Sequence, residues 1–435
     1  MNHPRPFIKT VAIVAPQFPP SNLAAVHRTR LFARHLPSFG WQPIVLTVEP
    51  EYYEESLDWN LVELVPDDLR VERVSALPTE PVRLVGNIGI RAFVPLLRRL
   101  LKLERKESID FVYLPIPPHF TALLGLIMHT LRDIPYGVDY IDPWVQGKWH
   151  TDEKKFNKHW WARKSASVLE PIAVHNASLI TGVAEGYFDD VLERNPRLKL
   201  QAVTAAMPYG GEIADYQAVA GMSLDPYLFQ NTGDTFHFVY AGALLPKAME
   251  PLERMLEAIN KDPEVFEDVC FHFIGTGTSP DDPEGYKVRP VAERYGLWKS
   301  VIHEYPARIP YLDALVHQKE ADAVFVLGST EPHYTPSKVY QGVLAEKPVL
   351  AVLHQASSAC TVLRSTGAGQ VLDFNGPEDV DHIKTSFANV VERFRAFSEA
   401  FNPFQVDHSR FEQYSARSVT KQLAEAMNQA LNHNS

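Results

Sequence analysis

The chain has 435 residues, 45% hydrophobic and 22% charged, with a formal net charge of −11 at pH 7. That length exceeds one ordinary core and predicts two globular domains, and the acidic balance argues against nucleic acid as the main partner. Two cysteines, Cys270 and Cys360, give neither a disulfide framework nor a zinc-ligand spacing. No run approaches the roughly 18 apolar residues of a membrane span, and the N-terminal MNHPRPFIKTVAIVAPQFPP lacks the apolar core of a signal peptide. A soluble cytoplasmic protein is expected, at most resting on the inner face of a membrane.

Residues 9–16, KTVAIVAP, read as a first buried strand, and QFPPSN as the loop after it. Residues 23–39 have helical spacing, with Leu23, Val26, Leu31 and Leu36 apolar and Arg28, Arg30 and Arg34 polar. Gly40 closes the helix and 43–48 is the next strand. Strand, helix, strand at the start marks a doubly wound sheet, although the GxGxxG fingerprint is absent. Ligands of such sheets sit beyond the carboxyl ends of the strands. Ser21, Asn22 and Arg28 are therefore candidates for a ligand cleft, while Arg28 fits a structural salt bridge equally well.

Residues 49–66 are acidic and aromatic and receive no assignment. From Leu84 to Lys106 the spacing is helical, with Arg91, Arg98, Lys102 and Arg105 on one face. Seven basic residues and one acid lie between Arg83 and Lys106. Such a helix can lie on anionic lipid, or pack on the sheet with its basic face in water.

Residues 111–114 are a strand, followed by a loop carrying His119, an apolar helix over 121–130 and a strand over 136–141. Asp142-Pro143-Trp144 comes next. Asp139 and Asp142 are placed so that one faces the strand's core side and the other the loop end. Asp142 is preferred as the cleft carboxylate; capping a turn is the alternative. Trp144, Trp149, Trp160 and Trp161 crowd together among Lys148, His150, Lys154 and Lys155. They form either a lid over an acceptor or a helix packed on the first domain. A helix over 165–176 and a strand over 177–183 complete this half.

Residues 215–235 read as an irregular linker. The strand 236–243 opens a second βαβ domain, and Lys247 follows in the loop before a helix. Strand 269–274 ends in Gly275-Thr276-Gly277, which alone signals only a tight turn. A short strand over 301–304, a loop carrying Arg308 and a helix over 313–320 follow. Residues 323–327 are a buried strand, 337–345 a helix and 349–353 another strand; helices are expected from there to the end. Ser337 and Lys338 stand at a helix start, where unpaired N–H groups and partial positive charge suit a phosphate. An ordinary N-cap serine and a solvated lysine are the plain alternative. No Asp-x-Asp stands at a strand end to hold a metal; Asp189-Asp190 and Asp281-Asp282 read as surface charges.

The run TPSKVYQGVLAEKPVLA (335–351) resembles the nucleotide-sugar loop of family 4 glycosyltransferases, which have the GT-B architecture. QFPPSN with Arg28 is similar to the opening of some members. IPYGVDYIDPW resembles a subgroup's reaction-centre segment, with Ile141 in the place of an arginine. The resemblance implies two Rossmann-like α/β domains facing across a cleft. Residues 1–215 would be the acceptor-side domain, 216–235 the linker, 236–405 the nucleotide-sugar domain and 406–435 a helix crossing back to the first domain.

By the same resemblance, Asp142, Lys247 and Lys338 are the catalytic candidates. Gly242, Gly275, Arg308, Glu331, His333, Thr335, Ser337, Lys338 and Gln341 would bind the donor. Ser21, Asn22, Arg28, His119 and Trp144 would lie on the acceptor side. The chain departs from the family where Ala243 replaces an arginine, and where His333 and Gln341 replace two glutamates. Glu331 stands two residues upstream of His333. The implied activity is retaining transfer of a sugar from a nucleotide diphosphate to a glycan or lipid-linked acceptor in cell-surface polysaccharide synthesis. Neither a cofactor nor a metal is expected, and an anionic membrane surface is a candidate partner through the basic helix. A catalytically silent GT-B partner or glycan-binding subunit is the alternative, and a sugar-nucleotide epimerase a more distant one.

Overall fold

A computed structural model describes residues 8–79, 86–145, 158–277, 279, 281–332 and 334–433. The chain divides into two units, one made of Met1–Tyr209 with Ala416–Ser435 and the other of Gly210–Ser415.

The first unit holds strands β1 (Lys9–Val14), β2 (Trp41–Val48), β3 (Arg70–Val74), β4 (Phe111–Ile116), β5 (Tyr136–Tyr140), β6 (Leu179–Gly182) and β7 (Val203–Ala206). They form one parallel sheet in the order β3-β2-β1-β4-β5-β6-β7. Parallel strands covered on both faces need apolar residues in both directions, which is why β1 and β4 are continuous apolar runs rather than alternating ones. Ala12 and Val14 face a core with Leu96, Leu100 and Leu103 of helix Phe93–Lys106. Val11 and Ile13 face the opposite core, with Phe32 of helix Ala24–His35 and Val419, Leu423 and Met427 of helix Ala416–His433.

Several expectations change here. The first helix ends at His35 and tightens into a 3-10 turn over Leu36–Phe39, because Pro37 cannot continue the α-helical hydrogen bonding. Arg28 and Arg30, expected on its polar face, are fully buried. The basic stretch is broken: a short turn, Ile88–Arg91, precedes helix Phe93–Lys106, while residues 84–85 lie outside those described. Arg91 does not join the basic face. It is buried, donating to the carbonyl oxygens of Leu77 (2.7 Å) and Tyr52 (2.8 Å) and to Glu54 Oε1 (2.8 Å). Arg98, Lys102 and Arg105 stay exposed.

The second unit holds β8 (Phe236–Ala241), β9 (Val269–Ile274), β10 (Ile302–Tyr305), β11 (Ala323–Leu327), β12 (Val349–His354) and β13 (Gly369–Phe374). Its parallel sheet runs β10-β9-β8-β11-β12-β13, the order of the first six strands of the other unit. Phe238, Phe271, Phe325 and Phe387 fill its core, with Phe238 and Phe271 stacked at 4.6 Å. Both units, each taken by itself, are Rossmann-like. Where an irregular linker was expected, helix Ile213–Gly221 packs into the second unit. Its Tyr216 hydroxyl lies 2.8 Å from Gln318 Oε1 and 2.9 Å from the Gln341 carbonyl oxygen. Strand β13 interrupts the expected all-helical C-terminal stretch.

Candidate functional site

The order β10-β9-β8-β11 reverses direction between β8 and β11, and the carboxyl ends of those two strands define the crevice of a doubly wound sheet. Gly242 follows β8 at φ +125° and Gly275 follows β9 at φ +71°, both in the region that favours glycine. Gly242 N donates to Ile274 O (2.7 Å) and Gly275 N to Tyr305 O (2.8 Å). A Cβ on Gly275 would stand 3.7 Å from Arg308 Cα and 3.8 Å from Gly242 Cα, so three sequence candidates meet through their backbones.

Lys338 opens helix Lys338–Leu344 beside this turn. Its Nζ lies 4.6 Å from the centroid of the Tyr240 ring, within cation–π range. A Cβ on Gly242 would come within 2.7 Å of its Cε and 3.1 Å of its Nζ. Among the described residues no carboxylate pairs with Lys338, and burial lowers its pKa to about 8. Ser337 precedes the helix in helical conformation, and its side chain makes no capping hydrogen bond. The helix has only 7 residues, so positive charge at this edge comes mainly from Lys338 and less from aligned peptides.

Lys247 does not stand free beside it. Its Nζ pairs with Glu331 Oε1 at 3.1 Å, and its carbonyl accepts the Thr330 N–H at 3.2 Å. Two residues expected to bind a donor separately therefore hold each other. The loop before Lys338 is tied to helix Ser358–Thr366 by Thr335 Oγ1 to Ser358 Oγ (3.0 Å), and just before it by Ser357 Oγ donating to Tyr334 O (2.9 Å). Gln341 is partly buried on helix Lys338–Leu344. His333 lies outside the described residues.

Glu304 was not singled out from the sequence. Its buried carboxylate accepts Thr276 Oγ1 (2.5 Å) and the N–H groups of Lys287 (2.9 Å), Val288 (2.9 Å) and Arg289 (2.8 Å). It pins the Gly275–Gly277 turn to the start of helix Arg289–Arg294. The available signal was one charged residue in the short strand Ile302–Tyr305.

In the first unit Arg28 is not a ligand-facing residue. It forms a fully buried bidentate pair with Asp139, Nε to Oδ2 at 2.6 Å and Nη2 to Oδ1 at 3.0 Å. Its Nη1 donates to the carbonyl oxygens of Met207 (2.8 Å) and Pro208 (3.0 Å). Thr181 Oγ1 donates to Asp139 Oδ1 at 2.7 Å. Ser21 is also buried, its hydroxyl on Glu55 Oε1 at 2.5 Å, and Asn22 Oδ1 lies 3.0 Å from His27 Nε2.

His119, Asp142 and Trp144 do come together. The His119 and Trp144 rings stack at 5.7 Å and 19°, and Phe120 meets Trp144 edge-on. Trp144 is buried in this core, so it serves packing and offers no open sugar platform. Burial lowers His119 to about 4, and its Nε2 has no hydrogen-bond partner. Asp142 is exposed, and desolvation raises its pKa to about 6. Solvent access limits what that shift contributes to stability.

Residues 24–204 match the family model described as Glycosyl transferase 4-like domain. This matched stretch, under half of the chain, is similar to that domain family. The solved structure of Anabaena HepE in complex with UDP and glucose is similar to the chain at TM-score 0.62 and 14% identity, over 97% of this chain and 100% of that one. Sucrose-phosphate synthase from Thermosynechococcus elongatus is similar at 0.61 and 13%, covering 97% and 98%. A glycosyltransferase from Rickettsia africae is similar at 0.58 and 12%, covering 97% and 98%. These likenesses establish the GT-B fold. No curated protein matches the chain.

The matched stretch contains the Arg28–Asp139 pair and the His119, Asp142 and Trp144 cluster, whereas Gly242, Lys247 and Lys338 lie beyond it. Trp149, Lys148, His150, Lys154 and Lys155 fall outside the described residues. Among the described residues no group of three or more His, Cys, Asp or Glu side chains is arranged to hold a metal. No described helix is long and apolar enough to cross a membrane.

Proposed function

We propose that the protein is a glycosyltransferase that moves a sugar from a nucleotide-diphosphate donor to an acceptor hydroxyl, with the diphosphate held at Lys338. One observation carries this reading. A half-buried ammonium without a paired carboxylate is costly, yet Lys338 is held in that state by the Tyr240 face and by the space left at Gly242. An anionic ligand supplies the missing counter-charge. The complex of Anabaena HepE with UDP and glucose, on the same fold, supports this class of ligand.

In the reaction, the bond from the anomeric carbon to the donor's phosphate oxygen breaks, and its electron pair leaves on the diphosphate. The acceptor oxygen forms the new bond and gives up its proton to the departing diphosphate. Lys338 stabilises the charge that develops on the leaving group. Lys247 joins it when Glu331 yields its place to phosphate. Asp142, solvent-open near His119, is our candidate for contact with the acceptor side. The finer reading is transfer with retention to a glycan or lipid-linked acceptor in cell-surface polysaccharide synthesis. The two ammonium groups take the charge-neutralising role that a divalent ion plays elsewhere, so turnover is expected to persist in EDTA. Loss of turnover in EDTA and its return with magnesium would contradict this.

Calorimetry with UDP and GDP tests the site. Charge-assisted contacts to phosphate contribute roughly 1.5–3 kcal/mol each, so Lys338→Ala should weaken binding by ~10-fold or more. A second reading, a GT-B protein that binds a transferase or glycan without turnover, draws on Ala243 in the place of the family's arginine and on the Lys247–Glu331 pair. Wild-type protein that binds neither nucleotide would favour that reading.

A further inference from the structure

Histidines crowd one face of the second sheet, on strands β8, β9 and β10. His303 on β10 registers with His272 on β9, and His272 registers with Val239 on β8. Side chains alternate along a strand, so His237, two residues before Val239, shares the face. His237 Nδ1 and His272 Nε2 are 2.9 Å apart, and the His272 and His303 rings stack at 5.1 Å. The segment 227–231 lies over them, with the Phe229 ring stacked on His272 at 4.0 Å and 12°.

A fourth histidine holds the same segment from helix Tyr311–Glu320. His317 Nδ1 lies 2.7 Å from the Asp313 carbonyl oxygen. Its Nε2 lies 3.2 Å from the Tyr227 amide nitrogen and 3.1 Å from that of Leu228. The partners assign the tautomer: Nδ1–H donates to a carbonyl and a bare Nε2 accepts two N–H groups. Only neutral imidazole can do both. Likewise the His237–His272 contact needs one bare nitrogen, and His272 Nδ1 is buried without a partner.

We propose that this histidine stack is a proton-operated clamp, which holds the segment 227–231 against the second sheet while its imidazoles are neutral and releases it as they become protonated. A proton on His317 Nε2 sets three N–H groups against one another. Protons on both His237 and His272 turn their contact into N–H against N–H, in a stack where charge cannot reach water.

The other groups around the stack shape the response. Cys270 Sγ lies 3.8 Å from His303 Nε2, and Lys299 adds positive charge on that side. Tyr305 donates its hydroxyl to Leu228 O at 2.8 Å, a tie that does not titrate in this range. Asp313 Oδ2 meets the Tyr227 hydroxyl at 3.3 Å. Glu320 and Asp322 take the Asn231 backbone and side-chain N–H groups at 2.9 and 3.0 Å, and Asp322 also takes the His237 N–H. These carboxylates anchor the Asn231 end, so release starts at residues 227–229. Burial lowers all four imidazoles, His272 furthest, to about 3. Released imidazoles titrate near pH ~6.5. Docking is therefore at full strength above that pH and weakens as pH falls below it.

Amide hydrogen exchange of the full chain, followed by mass spectrometry over pH 7.5 to 5.5 and corrected for intrinsic rates, tests the clamp. Protection of a peptide spanning 225–233 should fall at least ~10-fold, the effect of about one proton per pH unit, while a peptide from β11 keeps its protection. His317→Gln keeps an acceptor that does not titrate, and His272→Phe keeps the ring stack without a proton site. Each should shrink the fall. A wild-type profile that is flat, or a loss shared equally with β11, overturns the proposal. So does an undiminished fall in whichever variants fold at pH 7.5.

Discussion

Gly242 and Lys338 occupy one shared volume: a Cβ on the glycine would stand 2.7 Å from the lysine Cε. Only the missing side chain lets Lys338 reach across Tyr240. Gly242→Ala should displace the lysine and strain a backbone held at φ +125°. UDP affinity is expected to fall ~10-fold, the loss of one charge-assisted contact, with a smaller drop in melting temperature. Calorimetry and thermal melts on the same preparation separate the two effects; wild-type affinity in the alanine variant would sever the glycine from the site.

The Lys338 pKa of about 8 sets a pH dependence with opposite signs for binding and folding. A diphosphate favours the charged lysine. UDP affinity should hold near pH 7 and decline as pH passes 8, approaching tenfold per unit at most. Folding favours the neutral form, so the penalty from this residue is fully present below pH 8 and fades as pH rises toward the unfolded value of ~10.4. Lys338→Ala should flatten the binding profile between pH 7 and 9.5. An unchanged profile in that variant would assign the titration to another group.

Arg28 and Asp139 should respond as a buried pair. Removing one partner leaves a charge without compensation, at a cost of about 3–5 kcal/mol. Asp139→Asn and Arg28→Met are each expected to lose that much in urea unfolding. A matched apolar double replacement should lose less than the two changes summed. A loss under ~1 kcal/mol in either single variant would show that solvent reaches the pair.

Helix Phe93–Lys106 spends its apolar side on the first unit's core and leaves Arg98, Lys102 and Arg105 outward. Any lipid contact made here is electrostatic, about 1 kcal/mol per basic residue at an anionic surface. Flotation should show binding to anionic vesicles, none to neutral ones, and loss of binding at high salt. Reversing the charge of Lys102 and Arg105 should abolish it. Equal binding to both vesicle types would leave the helix as an ordinary covering of the sheet.

The central strands were legible because a parallel strand buried on both faces is a continuous apolar run; β9 and β11 fall where the pattern put them. Edge strands β3, β7 and β13 escaped because one side lacks a neighbour, and RVERV, VTAA and GQVLDF carry polar residues. At the candidate site, it was the family resemblance that grouped Gly242, Gly275, Arg308 and Lys338, and the structure brings them close to one another. Spacing could not reveal that Lys247 meets Glu331 or that Arg28 meets Asp139, since each pair joins residues far apart in sequence. Burial with Asp139 removes Arg28 from the ligand-facing set, while Lys247 meets a ligand only by exchanging Glu331 for it.

Helix Ala416–His433 also governs the order in which the chain can finish folding. Val419, Leu423 and Met427 leave the ribosome after the whole second unit, yet they cover the sheet face that carries Val11 and Ile13, which emerge before it. The second unit is contiguous and has all its residues by Ser415. During synthesis the first unit must therefore wait with one apolar face uncovered while the second completes. A chain cut after Ser415 would keep that face open for good, which makes the final helix a checkpoint for chains released too early.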